Sequence, residues 1–292
     1  MQVAADILRF LFFPGLLFVA LCGFIIALVE ARVRTVLYGG EAPAPRSFLR
    51  GGGEVELPSL AGIIVLLASL TCVASTGFLL VGVKGDLLLV ALLFGALELL
   101  PLFYDVGGKG GSPAYAPLHF RVAAFRVMTV FCVVLAASLR LPGEFAPALH
   151  TLENEGAFGA IQIWSGVDFA LMLASMVLGA VALLIYTHAL PSWMADHRRG
   201  QRGAPAGVLY VAAGWGGRAA AVTLFSVVFL GYPWPGVRGA LAWSAAVLGI
   251  VAFVIAAGAW ATGRCRATRR RWQEMGMIFA LLALALALAA AW

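Results

Sequence analysis

The sequence predicts an all-α fold, a polytopic membrane helix bundle with about eight transmembrane helices. Hydrophobic residues make up 62% of the 292 residues and charged residues only 12%, about half of the share that soluble domains carry. The mean hydropathy is +0.97. So few charges cannot cover a water-exposed surface, and no polar stretch is long enough to fold alone. We therefore expect a single transmembrane domain over residues 1–292.

Apolar runs define the elements in order, because a helix needs about 20 apolar residues to cross the hydrocarbon core. The loop at 141–164 mixes acidic and apolar residues, so we expect it to lie flat on the outer membrane face. The predicted spans lie near residues 5–30, 59–82, 86–105, 120–140, 165–190, 206–231, 238–262 and 273–292.

Basic residues are divided unequally between alternate loops. Fourteen of the twenty Lys and Arg residues lie in the odd-numbered loops, and four, Arg140 among them, lie on the opposite side. The positive-inside rule then places the odd loops in the cytoplasm and both termini on the outer side of the cell inner membrane. The net charge of +6 comes from arginines that lie in short loops, where they act as orientation signals rather than as a surface for nucleic acid. We therefore expect no nucleic-acid partner.

Two arginines lie inside predicted spans, Arg126 in the fourth and Arg218 near the middle of the sixth. An ionisable residue at membrane depth must face protein or water, and it is a functional candidate by default. Glu98 of the third span lies at a similar depth to Arg126, so we expect the two to meet across antiparallel helices. A purely structural ion pair is the alternative for both arginines. A side chain that reaches the interface is a further alternative for Arg126, whereas Arg218 lies too deep for this.

Three further residues complete the ion-pathway candidates. Asp105 follows Glu98 by seven residues, which keeps both on one helix face. Asp168 begins the fifth span, where it is also a candidate N-terminal cap beside Ser165. His188 ends that span, and a lone histidine there is more often an interfacial side chain than a proton relay.

The sequence predicts neither a catalytic set nor a metal site in this chain. The four cysteines are scattered without a CxxC pair, and the histidines are dispersed. The run GGKGGS at 107–112 lacks the spacing of a phosphate-binding loop.

Several local signatures follow one another in the order of a known family. They are FPGLLFVALCGFIIALVEARVR, which contains Glu30, Arg32 and Arg34, then SPAYAPLHFR at 112–121, GWGGRAAAVTLF at 214–225 and RCRATRRRWQEMG at 264–276. With these motifs the chain resembles the heel membrane subunit, the subunit 1 type, of respiratory complex I. That family also includes subunits of membrane-bound group 4 nickel–iron hydrogenases and formate hydrogenlyases.

The resemblance implies a membrane-anchoring and coupling subunit of a complex-I-like redox complex, with no active site of its own. It implies hydrophilic iron–sulfur and hydrogenase-like partners on the cytoplasmic side and antiporter-like partners in the lipid membrane. Iron–sulfur clusters, and in hydrogenase-type assemblies a nickel–iron centre, would then lie in those partners, while quinone binding stays open. The docking candidates for the peripheral arm are Glu30, Arg32, Arg34, Arg121, Arg198, Arg199, Arg269 and Arg270.

The chain also departs from the family pattern. Val130 stands where a glutamate of the fourth helix is expected, and ADHRRGQRGAP at 195–205 replaces an acidic loop. These changes favour a divergent hydrogenase-type or complex-I-like assembly over an ordinary quinone reductase. The alternative from another class is a stand-alone transporter or channel, in which the buried arginines would bind a small anion.

Overall fold

The computed structural model is mainly helical in the continuous stretches that it describes. It describes residues 2–12, 86–107, 116–146, 156–188, 217–231 and 266–292, with isolated positions within 17–36 and 238–253 that are all helical. These stretches contain no β-strand, and Leu141 and Glu144 form an isolated bridge. The helices are α1 (Gln2–Leu11), α2 (Leu87–Gly107), α3 (Ala116–Ser138), α4 (Gly156–Ala160), α5 (Gly166–His188), α6 (Gly217–Leu230) and α7 (Arg266–Ala291).

Three of these helices contain segments long and apolar enough to cross a membrane. The segments are Phe120–Ser138 in α3, Gly166–Thr187 in α5 and Arg271–Ala291 in α7, with 19, 22 and 21 residues. At a rise of about 1.5 Å per residue, each spans roughly the 30 Å of a hydrocarbon core. This is the property of a membrane protein, and it agrees with the composition.

The packing of α7 also indicates a lipid environment. The large side chains of Ile278, Leu281, Leu282 and Leu288 point outward and are more than 40% exposed. From Gly276 onward the residues of α7 that are buried against the bundle are small: Gly276, Ala280, Ala283, Ala287 and Ala290. A helix in water would bury its leucines, whereas membrane helices approach closely through small residues and leave large apolar side chains to the lipid.

Contacts between helices fix their relative directions. Ser175 of α5 donates to the carbonyl oxygen of Ala283 on α7 at 2.7 Å, and Gly276 lies beside Ile185, so α5 and α7 are antiparallel. By the same reasoning α2 is antiparallel to α3, and α3 to α5. We call the end where α3 and α7 begin the Arg121 end, and the end where α3 finishes the Arg140 end.

Helix α6 runs from the level of α2's Leu97 towards the Arg140 end. A Cβ atom at Gly217 would lie 3.4 Å from Leu97 Cδ2, and one at Gly179 would lie 3.5 Å from Phe229 Cζ. The last five residues of α6, Ser226–Leu230, form a π-helix. Gly231, at φ 79°, ends this turn.

The loop after α3 packs in part on the bundle, and the expectation that it lies flat on the outer membrane face stays a prediction. Its described part forms α4 and a 3₁₀ turn, Ile161–Ile163, whose residues pack on the π-helix and on α5. Ala157 and Ile161 are buried there. Gly156 has φ +59°, and a Cβ atom there would lie 2.7 Å from the carbonyl oxygen of Phe229. Burial of these apolar residues holds this part of the loop against the bundle.

Arg140 is buried, although the charge pattern placed it among the outer-loop basic residues. Its side chain donates from Nη1 to the carbonyl oxygens of Ala137 and Ala146, at 2.9 and 2.7 Å, and so binds the end of α3 to the following loop. Trp164 in turn donates to the Arg140 carbonyl oxygen at 2.7 Å. Burial lowers the pKa of Arg140 to about 10, so the guanidinium remains charged at neutral pH.

The predicted spans at 86–105, 120–140, 165–190 and 273–292 correspond to α2, α3, α5 and α7, within a few residues at most ends. Helix α7 begins seven residues earlier than predicted, because its arginine-rich first turns are also helical. The span at 206–231 is described only from Gly217 onward, and the span at 59–82 lies outside the described residues.

Candidate functional site

Glu98 and Arg126 form a buried ion pair between α2 and α3, as the sequence predicted. Arg126 Nη2 lies 2.8 Å from Glu98 Oε1, and the two side chains are only 7% and 4% exposed. Arg126 is ten residues into α3, about 15 Å along the helix. At this depth neither charge reaches bulk water, so each depends on the other for solvation.

Tyr186 contacts both members of the pair. Its hydroxyl group donates to Glu98 Oε1 at 2.8 Å. Its ring lies beneath the Arg126 guanidinium, with 4.2 Å from Cζ to the ring centroid, a cation–π distance. Phe94 packs edge-on against this ring at 5.9 Å. Three helices therefore contribute one polar residue each to the buried cluster Glu98–Arg126–Tyr186.

Arg126 also caps the end of α5. Its Nη1 donates to the Tyr186 carbonyl oxygen at 3.2 Å. Tyr186 lies two residues before α5 ends at His188, where backbone carbonyls lack a partner inside the helix. A positive charge at a helix C-terminus is also favoured by the helix dipole. The guanidinium thus satisfies a carboxylate, a carbonyl and an aromatic face together.

The ion pair with Arg126 and the hydrogen bond from Tyr186 both reach Oε1 of Glu98. A carboxylate held in this way keeps a fixed orientation, and a carboxylate oxygen is also able to accept a proton. The chemistry that the cluster supports is therefore proton acceptance within a fixed charged frame.

Arg218 lies at the level of the buried cluster. It is the second described residue of α6, next to Gly217, which contacts Leu97 beside Glu98. Arg218 is 9% exposed, so it is buried in the protein as the sequence predicted. The depth of Arg218 along the predicted sixth span depends on residues 206–216, which lie outside the described part of the chain.

The structure separates Asp168 from the cluster. Asp168 is exposed in the first turn of α5, eighteen residues and about 27 Å from Tyr186. An acidic residue there is favoured by the helix dipole, which is the capping alternative weighed from the sequence. Asp105 and His188 lie on the described backbones of α2 and α5, but their side chains are outside the described residues.

Two of the docking candidates have described side chains, and both are exposed. Arg121 at the start of α3 lies 3.7 Å from Glu274 of α7, with 54% and 33% of the side chains exposed. Arg32 is helical and exposed. Arg269 and Arg270 belong to the first turns of α7, with side chains outside the described set. Glu30, Arg34, Arg198 and Arg199 lie wholly outside it.

Sequence reasoning missed Tyr186. A tyrosine hydroxyl inside an apolar run must find a partner when it is buried, and this was the available signal. The signal was weak because tyrosines near the end of a span are also common at the membrane interface. Only the crossing of α2, α3 and α5 shows which partners Tyr186 has.

Within the described residues, no group of three or more His, Cys, Asp or Glu side chains is placed to hold a metal ion. Cys132 is a free, buried cysteine. Comparison of the chain with known protein families and with curated proteins gives no match.

Proposed function

We propose that the chain is a membrane-anchoring and coupling subunit of a complex-I-like redox complex in the cell inner membrane. It would link a peripheral iron–sulfur arm to ion translocation, with the redox chemistry in its partners. The observation that carries the proposal is the Glu98–Arg126 pair, buried between helices of a membrane bundle. The order of the sequence motifs supplies the identity of the complex.

The energetics of the pair favour a functional origin. A buried ion pair is costly to desolvate, and its replacement by apolar residues is often neutral or stabilising. Packing alone therefore gives little reason to keep Glu98 and Arg126 at this depth. Intramembrane charges of this kind commonly mark ion or proton pathways, and the Glu98 carboxylate is chemically suited to accept a proton.

Helix directions support the proposed topology of eight spans with both termini outside. Helices α3, α6 and α7 run towards the Arg140 end, while α2 and α5 run towards the Arg121 end. Because α6 and α7 are parallel, the chain between them has to return to the Arg121 end, and the predicted span at 238–262 provides that return. This alternation fits odd spans that run inward and even spans that run outward.

Surface charges favour the Arg121 end as the cytoplasmic docking face. Arg121 and Arg271 are exposed there, whereas Asp86, Glu144 and Asp168 are exposed at the Arg140 end. Basic residues concentrate on the cytoplasmic side of membrane proteins. A basic face also complements acidic surfaces of a hydrophilic partner.

Affinity purification of the tagged chain in mild detergent tests the proposal. We expect hydrophilic subunits carrying iron and acid-labile sulfide to co-purify with it. Arg271→Glu should lower the iron content of the eluate several-fold, while Glu144→Arg at the opposite end serves as the matched control. A stable chain that purifies alone, without iron, contradicts the proposal.

That contrary outcome would favour the stand-alone anion transporter or channel. The structure gives this alternative less support, because the charge of Arg126 is already neutralised by Glu98 at 2.8 Å. Uptake of a small anion by vesicles that contain only this chain would establish it.

A further inference from the structure

We propose that Tyr186 is a positioning residue that holds Arg126 in place when Glu98 loses its charge. The inference rests on the proposed function, since it concerns a carboxyl group that becomes neutral during ion transfer. It adds a residue and a role that the charge pattern of the sequence did not assign.

The problem that Tyr186 solves is electrostatic. When a buried carboxylate becomes neutral, its arginine partner is left as a buried charge without compensation, which is strongly destabilising. An arginine in that position would move towards water or another carboxylate, and the original pair would not re-form readily. A pair that cycles therefore needs a second set of contacts for the arginine.

Tyr186 supplies this second set through two groups that do not depend on Glu98. The backbone carbonyl oxygen accepts from Arg126 Nη1 at 3.2 Å, and the ring face lies 4.2 Å from Cζ. A desolvated cation–π contact is among the stronger interactions of its type. The carbonyl belongs to the last turn of α5, where a donor from outside the helix is favourable.

The hydroxyl of Tyr186 serves the other member of the pair. It donates to Glu98 Oε1 at 2.8 Å and so fixes the carboxyl group whether or not the salt bridge is present. Phe94 packs against the ring edge and restricts its rotation. Among the described side chains, the other charged group at this level is Arg218 on α6, which does not change charge at neutral pH.

Thermal unfolding of the full chain in lipid nanodiscs tests this role. Glu98→Gln mimics the neutral carboxyl group, because glutamine has nearly the same shape and no charge. With Tyr186 intact, we expect it to lower the unfolding midpoint by only about 3 °C. In the Tyr186→Leu background the same change should cost more than twice as much, since the aromatic face is lost.

Tyr186→Phe provides the conservative rescue. Phenylalanine keeps the ring and the carbonyl, so Glu98→Gln should again lower the midpoint by about 3 °C in that background. Phe229→Leu is the matched control, because Phe229 is a buried aromatic residue that lies away from the cluster. It packs at the level of Gly179, which precedes Tyr186 by about 10 Å along α5. Its effect should simply add to that of Glu98→Gln.

Equal costs of Glu98→Gln in the native and Tyr186→Leu backgrounds would overturn the proposal. If Tyr186→Leu does not fold, Glu98→Gln is compared with Arg126→Gln in the otherwise native chain. Glu98→Gln must then lower the unfolding midpoint much less than Arg126→Gln, because Tyr186 still holds the charge of Arg126. These measurements need no partner subunit. A failure of co-purification would therefore reject the proposed complex while leaving the role of Tyr186 intact.

Discussion

The guanidinium of Arg126 contacts a carboxylate, a backbone carbonyl and an aromatic face at once. The contacts come from two other helices: Glu98 from α2, and the carbonyl and ring of Tyr186 from the last turn of α5. One residue therefore connects three helices at a single level. Removal of its charge should affect the bundle more than removal of any exposed arginine.

Arg126→Gln should destabilise the chain by about 3–5 kcal/mol, because Glu98 is left as a buried charge without its ion-pair partner. The double variant Glu98→Gln/Arg126→Gln should recover part of this loss. The loss of stability is measured as the fraction of the chain that remains monodisperse after heating in detergent. Arg121→Gln, which removes an exposed pair, is the control and should cost no more than about 1 kcal/mol. Additive effects at Glu98 and Arg126 would show that they are not coupled.

Arg140→Leu should destabilise the chain by roughly 2–3 kcal/mol, because the carbonyls of Ala137 in α3 and of Ala146 in the following loop lose a charged donor. Arg140→Lys should retain part of the stability, since an ammonium group can also donate to carbonyls. The same heating assay applies, with the exposed Arg238→Leu as control. A loss no greater than that of the control would show that the cap contributes nothing.

The residues predicted from sequence share one property, an unusual charge inside an apolar run. Glu98 and Arg126 could be paired by their depth along adjacent helices, and the structure confirms that contact. The burial of Arg140 was not predicted, because a charge between spans is normally solvated and the fold of the following loop is needed to bury it. Tyr186 has no formal charge, so its role depends on a three-helix crossing that no local pattern contains.

At the scale of the element, each helix follows from its apolar run, whereas its packing face does not. The alternating Leu and Ala residues of α7 do not show which face is buried. Exposure of the leucine face is favourable in lipid, so the close approach of α7 to α5 decides which face of α7 is buried. The π-helix at Ser226–Leu230 was likewise not predicted, because the extra residue in its turn is accommodated by packing against α4.

The close approach of α5 and α7 makes Gly276 sensitive to size. A Cβ atom there would already lie 3.1 Å from Ile185 Cγ2. Gly276→Leu should therefore separate the helices and cost about 1–3 kcal/mol through overpacking. Ala285→Leu adds the same side chain on the exposed face of α7 and should be nearly neutral. Thermal stability in detergent measures both, and equal losses would argue against the packing seen at Gly276.

At the scale of the whole molecule, the two ends of the bundle differ in exposed charge. Helix directions place Asp86, Glu144 and Asp168 at one end and Arg121 and Arg271 at the other, independently of the loop count from sequence. The burial of Arg140 removes a basic residue from the surface of the acidic end. The helix directions and the burial of Arg140 both strengthen the difference in exposed charge between the two ends, on which the assigned orientation depends.

Cysteine labelling in intact cells tests this orientation directly. In a variant with Cys22, Cys72, Cys132 and Cys265 replaced by serine, we expect Glu144→Cys to react with a membrane-impermeant maleimide added outside. Arg271→Cys should react only after the membrane is opened, because the Arg121 end faces the cytoplasm by the positive-inside rule. Both residues are exposed, so a difference in reactivity reports the side of the membrane rather than burial. Reaction of Arg271→Cys from outside would invert the bundle and move the basic docking face away from any cytoplasmic redox partner.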